Sequence, residues 1–252
     1  PCEVRNDPRG ACAGMLRRYR RERRLRVAIV VPGYEEGGGV PAVADFLSNA
    51  LRRRGDFSVA LLSMAVRWND PLNVCVTSPR TWCRGPRTEN SNEGDFPLTR
   101  VGAWWAEAEF MRYLPRVVLD HAVGDADVGQ VICGSAASAY ALRRVRKPLF
   151  IQVATTLRTE RAAGKARGTA VWHSNFMTRV CEFQERAAVR SAAGVFVENR
   201  WLQTKLEGEL SPGRVHVAPP GVDVDFYRPD PAVERDILLF VGRLSDPRKN
   251  VR

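Results

Sequence analysis

Two hydrophobic periods alternate along the chain. Arg26–Val31 is rich in β-branched residues and ends at Pro32-Gly33, the pattern of a parallel strand buried on both faces. Beyond Gly37-Gly38-Gly39, apolar residues fall at Val40, Val43, Ala44, Leu47, Ala50 and Leu51. That spacing predicts one face of a helix, with Pro41 accommodated in the first turn. Arg52-Arg53-Arg54-Gly55 supplies cations and a glycine at its C-terminal end. Ser58–Met64 reads as the next strand. The chain therefore opens β-α-β, the start of a Rossmann-like doubly wound parallel sheet of the α/β class.

Residues 66–100 mix turn formers with Trp68, Trp82 and short apolar pieces around Val74 and Val76, and read as an irregular or short-strand excursion. A helix is expected from Trp105 to Ala122 despite Pro115, a strand at Val128–Cys133 and a helix at Ser135–Val145. Pro148–Val153 reads as a strand. A long helix over Thr169–Ala192 is expected to gather Trp172, Phe176, Val180, Phe183, Ala187 and Val189 on or near one face. Gly194–Glu198 is a strand, Asn199–Gly208 a helix, and Val215 and Val217 flank His216 in a last strand. The pattern contains no internal repeat.

Composition refines the organisation. With 252 residues, 44% of them hydrophobic, the chain can bury one large core, and no apolar run reaches the ~18 residues that span a bilayer. The net charge is +11, and residues 1–24 hold eight arginines against Glu3, Asp7 and Glu22. Such an arm suits an anionic surface, or it is a solvated leader. It lacks interleaved aromatics for base stacking, so nucleic acid is not expected as a partner. The six cysteines (2, 12, 75, 83, 133, 181) form no Cys-x-x-Cys pair and have no histidine at zinc-finger spacing. They read as reduced cytoplasmic thiols, with Cys133 a small hydrophobe in its strand; the spacing permits a Cys75–Cys83 bridge without requiring it. Four segments follow: a basic leader over 1–24, a Rossmann-like domain over 25–222, a Pro-rich linker over 223–235, and the start of a second domain over 236–252.

Candidate chemistry begins in the loop Pro32–Gly39, which joins a strand to a helix N-terminus. Free amides, partial positive charge and glycines together invite a phosphate or carboxylate; a plain tight connection is the alternative. No Gly-x-Gly-x-x-Gly fingerprint opens this helix and no Gly-Lys-Ser/Thr follows it, which disfavours dehydrogenase and NTPase readings. Asp125-Ala126-Asp127 has the form of a metal motif but sits at a helix-to-strand turn, where turn chemistry explains it. No metal or other cofactor is expected. Trp104-Trp105 fits either contact with a membrane surface or ordinary core packing.

The strand, the Gly-Gly-Gly-Val-Pro-x-Val helix start and its Arg-rich end resemble the acceptor-side opening of the retaining glycosyltransferases with the two-domain GT-B fold, the large family 4 of nucleotide-sugar-dependent enzymes. The passage through Glu185, Ala188 and Ala193–Glu198 resembles that family's approach to its interdomain crossover. Val217-Ala218-Pro219-Pro220-Gly221-Val222-Asp223 with Phe226 and Pro229 resembles the crossover itself. Ile237–Leu244 with Lys249-Asn250 resembles the first strand and turn of the donor-binding domain.

The resemblance implies a GT-B N-terminal half that transfers sugar from a nucleotide-sugar donor, with retention, to a glycan, lipid-linked or small-molecule acceptor. It places Gly38 and Gly39 against the donor phosphates, and Arg243 and Lys249 on the diphosphate as catalytic cations. Electrostatic stabilisation of the leaving group by such cations needs no metal. The family's usual histidine is replaced by Ala154-Thr155-Thr156, so Thr155 and Thr156 are the candidate sugar or acceptor contacts. The family's paired glutamates would lie beyond Arg252, and the 252-residue chain alone is expected to be inactive. A peripheral position at the inner face of the membrane is compatible with these expectations. The competing reading is a non-catalytic α/β module that binds anions or a partner chain.

Overall fold

The computed structural model describes residues 24–93, 96–162, 170–208, 210, 213–224 and 227–228. They form an α/β fold around one eight-stranded sheet in the order β3-β4-β2-β1-β5-β6-β7-β8. Strands β1 (Leu25–Pro32), β2 (Phe57–Met64), β4 (Phe96–Val101), β5 (Val128–Cys133), β6 (Leu149–Val153), β7 (Gly194–Val197) and β8 (Val215–Val217) are parallel. Only β3 (Thr88–Glu93) runs antiparallel, as a hairpin partner on the edge beside β4. The expectation of a doubly wound α/β sheet is met.

The period-2 geometry of a strand explains the two cores. In β1, Ala28 and Val30 point into the larger core, and Val27, Ile29 and Val31 into the smaller one. Both faces are covered, so the strand needs an unbroken apolar run and not an alternating one. The smaller core is closed by helix α1 (Gly39–Arg53), whose Ala44 is fully buried between Val40, Val43, Leu47 and Leu51. The larger core is closed by α4 (Val117–Gly124), a 3-10 segment (Ala136–Leu142), α6 (Ala170–Ser191) and α7 (Arg200–Glu207). Asn199 caps α7 by accepting from the Leu202 amide at 2.9 Å.

Four local expectations change. The excursion after β2 holds a one-turn helix α2 (Pro79–Trp82) and the β3–β4 hairpin, tied to the sheet by a bridge between Val74 and Trp104. The helix expected from Trp105 to Ala122 is two: α3 (Glu109–Arg112) and α4, interrupted at Leu114-Pro115. Proline lacks the donor and clashes with the preceding turn, and here it divides the helix. Ser135–Val145 is a 3-10 segment, fully buried along Ala136–Leu142, where small alanines let α6 approach closely.

The inward face of α6 also differs. Phe176 and Phe183 are exposed, at 48% and 63% of their surface. Val189 is buried as expected, and Cys181, Gln184, Glu185, Ala188 and Ala192 turn inward beside it. Two of the buried polar side chains bond to backbone: Gln184 Nε2 donates to Phe110 O at 2.9 Å, leaving its Oε1 without a partner, and Glu185 Oε1 accepts from Leu157 N at 3.0 Å. Hydrophobicity counting cannot see a face held by such bonds.

After β8 the chain turns back across the outside of α1. Gly221 lies against Phe46 so tightly that a Cβ would stand 2.3 Å from two ring carbons. Asp223 then pairs with Arg53 at 3.2 Å. The domain limits expected at 1–24 and 236–252, and most of the linker at 223–235, fall outside the described residues.

Candidate functional site

Parallel strands place every strand-to-helix loop on one edge of the sheet. From β1 the chain winds outward to β2 and β4, then returns to β5 on the other side. A crevice therefore opens outside the C-terminal ends of β1 and β5, the position where doubly wound sheets hold ligands.

The loop after β1 enters that crevice. Gly33 adopts φ 61°, ψ 43°, and a Cβ there would stand 2.7 Å from Val66 Cγ2. A 3-10 turn follows at Tyr34–Glu36. Gly38 has φ 104°, ψ −163°, a conformation that only glycine adopts without strain. Around Gly38 and Gly39 nothing lies within 4 Å of where a Cβ would be. No side chain caps α1. The first-turn amides of Gly39 and Val40 therefore have no intrahelical partner, and Pro41 contributes none. The result is an open, donor-only backbone surface.

Two carboxylates precede these glycines, and each meets an arginine. Glu35 accepts from Ser63 Oγ at 2.5 Å and from Arg100 Nη2 at 3.3 Å. Glu36 accepts from Arg67 Nε at 2.8 Å. Arg100 also holds Asp70 at 2.8 Å and Glu89 at 2.7 Å. Burial works against the charge of Arg100, but Glu35 and Asp70, with the hydrogen bonds it donates to Glu89 and Glu35, raise its pKa on balance. Tyr34 fixes the loop from the other side, its amide bound to Ser63 Oγ at 3.2 Å and its hydroxyl to Asp45.

Thr155 and Thr156 follow β6 on the same edge, two strands from β1 and so about 10 Å across the sheet. Thr156 is buried, and its hydroxyl is shared with Thr159 Oγ1 at 2.8 Å and Lys205 Nζ at 3.2 Å. Its polar atoms serve the start of α5 (Leu157–Ala162). Thr155 is half-buried, with its amide on Gly134 O at 2.9 Å and only a long 3.5 Å bond from its hydroxyl. Thr155 is thus the better placed of the two for a ligand. Arg243 and Lys249 lie outside the described residues.

Glu198 joins this edge at the end of β7 and was not singled out as a site residue. It is half-buried, burial raises its pKa, and among the described residues it makes no hydrogen bond or ion pair. Its only signal in the sequence is a carboxylate at a strand's C-terminal end, just before the capping Asn199. His216 lies one strand further, its ring 5.9 Å from Phe196, and His121 sits within α4. Asp127 Oδ2 accepts from Arg26 N at 2.9 Å and its amide donates to Arg26 O at 2.8 Å, a tertiary tie from the start of β5 to β1 where turn chemistry was expected. No cluster of metal-ligating side chains occurs among the described residues. Cys75, Cys83, Cys133 and Cys181 are free thiols.

Trp104 and Trp105 are exposed, at 44% and 43% of their surface. Core packing does not account for them; Ala103 and Ala106 occupy the buried positions on either side.

No protein-family model matches the chain, and no curated protein matches it significantly. No helix among the described residues is long and apolar enough to cross a membrane.

Proposed function

We propose that this chain is the acceptor-side half of a retaining, nucleotide-sugar-dependent glycosyltransferase of GT-B architecture. One observation carries the reading: the open glycine pair Gly38-Gly39 heads an uncapped helix at the sheet's switch point, with the neighbouring acidic side chains already held by arginines. That arrangement suits the diphosphate of a nucleotide sugar. The resemblance of residues 217–250 to a crossover and first donor-domain strand supports it.

On this reading, the donor lies between Gly38-Gly39 and cations contributed by Arg243 and Lys249. As the sugar–phosphate bond breaks, charge builds on the departing diphosphate. Arginine, lysine and the α1 amides stabilise it, so no metal is required. Thr155 contacts the sugar or the acceptor, which is a glycan, a lipid-linked saccharide or a small molecule. The enzyme works in the cytoplasm, where its thiols stay reduced.

Alanine substitution of Arg243 and Lys249 in the full-length protein tests this. Each should lower kcat/KM about a hundredfold, near 3 kcal/mol of transition-state stabilisation, with an unchanged melting temperature. Lys249→Arg should rescue incompletely, because a planar fork is not a point charge. Wild-type kinetics in both alanine variants would turn the reading toward a non-catalytic anion-binding module.

A further inference from the structure

The excursion between β2 and α3 concentrates exposed aromatic surface. Of the six tryptophans in the chain, Trp68, Trp82, Trp104 and Trp105 belong to it, and all four are more than 40% exposed. One short segment, Val74-Cys75, holds them together. Cys75 O accepts from the Trp82 indole at 2.8 Å, and Cys75 Sγ donates to Trp68 O at 3.5 Å. Val74 forms the bridge to Trp104, and its carbonyl accepts from the Trp105 amide at 2.7 Å. Trp104 also lies over Gly85, 3.7 Å from where a Cβ would be.

Outward display of these rings runs against ordinary folding preferences. Trp105 is the single non-glycine residue with positive φ among the described residues, at 49°. A bulky side chain in that region is strained, and such strain concentrates where the chain binds something. Beside it, Trp104, Trp105, Met111, Leu114 and Pro115 line a largely apolar cavity of about 200 Å³.

The excursion carries five arginines (67, 80, 84, 87, 100) and five carboxylates (70, 89, 93, 95, 107). Arg80, Arg84 and Arg87 are exposed and have no side-chain partner among the described residues. They are placed among the tryptophans: Arg80 and Arg84 flank Trp82, and the Arg87 carbonyl accepts from the Gly102 amide at 2.9 Å, two residues before Trp104. Of the carboxylates, Asp70 and Glu89 pair with Arg100, and Glu107 accepts a 3.4 Å bond from the Thr77 hydroxyl at the surface. Indoles beside unpaired arginines fit a bilayer boundary, with rings at headgroup depth and guanidiniums on phosphates.

We infer that the Trp68–Trp105 excursion is a docking surface for an anionic lipid bilayer. Its indoles insert at the headgroup level, and Arg80, Arg84 and Arg87 pair with lipid phosphates. The inference stands apart from the transferase reading, and each can fail alone.

Co-sedimentation of the full chain with phosphatidylglycerol-containing vesicles, against phosphatidylcholine vesicles, tests it. The double variant Trp104→Ser/Trp105→Gly removes two indoles, and glycine accepts φ 49° without strain, so folding should survive. The charge-reversed Arg80→Glu/Arg84→Glu is the second variant. Wild type should bind the anionic vesicles, and brominated acyl chains should quench its tryptophan emission. Each variant should lose about tenfold in binding with its melting temperature kept. Three results would overturn the inference. They are no preference for anionic vesicles, wild-type binding by both variants (which leaves the basic arm as the sole contact), or binding without quenching.

Discussion

The Ser63 hydroxyl, at the end of β2, donates to Glu35 Oε2 at 2.5 Å in the loop after β1. The same oxygen accepts from the Tyr34 amide at 3.2 Å, so one buried side chain fixes two successive loop residues. Ser63→Ala would remove both bonds. A loss of about 1–3 kcal/mol is expected, the cost of unsatisfied buried polar groups. Urea denaturation of the variant measures it. A change below about 0.5 kcal/mol, as for typical surface substitutions, would mean the loop is held by other contacts.

Gly221 and Phe46 define where the returning chain crosses α1. Because a Cβ would approach two ring carbons to 2.3 Å, Gly221→Val should lift the segment off the helix. The Arg53–Asp223 pair, with Arg53 largely exposed, is too weak to hold it alone. Limited proteolysis should then cut between residues 218 and 228 faster than in wild type, while the sheet keeps its protection. Combining Gly221→Val with Phe46→Ala should restore protection in part, since space for the new side chain is made.

Burial pushes the Cys133 thiol up to about 12, from an ordinary value of 9.0. The unfolded chain releases this proton at lower pH than the native state does. Stability is therefore present in full below pH 9 and declines as pH rises toward 12. Cys133→Ala should show a shallower fall in melting temperature between those limits. Alkylation at pH 8 should mark exposed Cys83 within minutes and Cys133 only under denaturing conditions, as read by peptide mass spectrometry.

Much of the fold was legible because its signals are local. Arg26–Val31, Val128–Cys133 and Gly194–Glu198 are short apolar runs bounded by turn residues, and each is a strand within a residue or two of its expected limits. The α1 stripe and its Gly55 exit, with φ 75°, followed from spacing and backbone chemistry in the same way. What the sequence hid was tertiary. Gln184 and Glu185 are buried because backbone of α3 and of the first turn of α5 meets them, and Phe183 is exposed because alanines allow α6 to lie close on its other side. The tryptophans of the excursion face outward although their chemistry favours a core.

The candidate site was half legible. The glycine loop announced itself by composition, and the structure adds what composition lacks, the arginines that pair with Glu35 and Glu36. Thr155 and Thr156 were equivalent as sequence but are not as structure: Lys205 and Thr159 occupy the Thr156 hydroxyl. Glu198 carried only its place at a strand's C-terminal end, since its half-burial depends on neighbouring strands.

The central claim is that Gly38-Gly39 cradles the diphosphate of a nucleotide sugar. Gly39→Val is the direct test, because Gly39 has open space around it and no positive φ, so a side chain there blocks a ligand without straining the fold. The measurement is sugar transfer by the full-length protein from a panel of nucleotide sugars in the presence of a metal chelator, wild type against variant. The account predicts metal-independent transfer with retention by wild type. The variant should lose about a hundredfold in turnover, the loss of oriented amide contacts, at an unchanged melting temperature. Equal turnover by the two proteins, or no transfer from any donor by wild type, would contradict it.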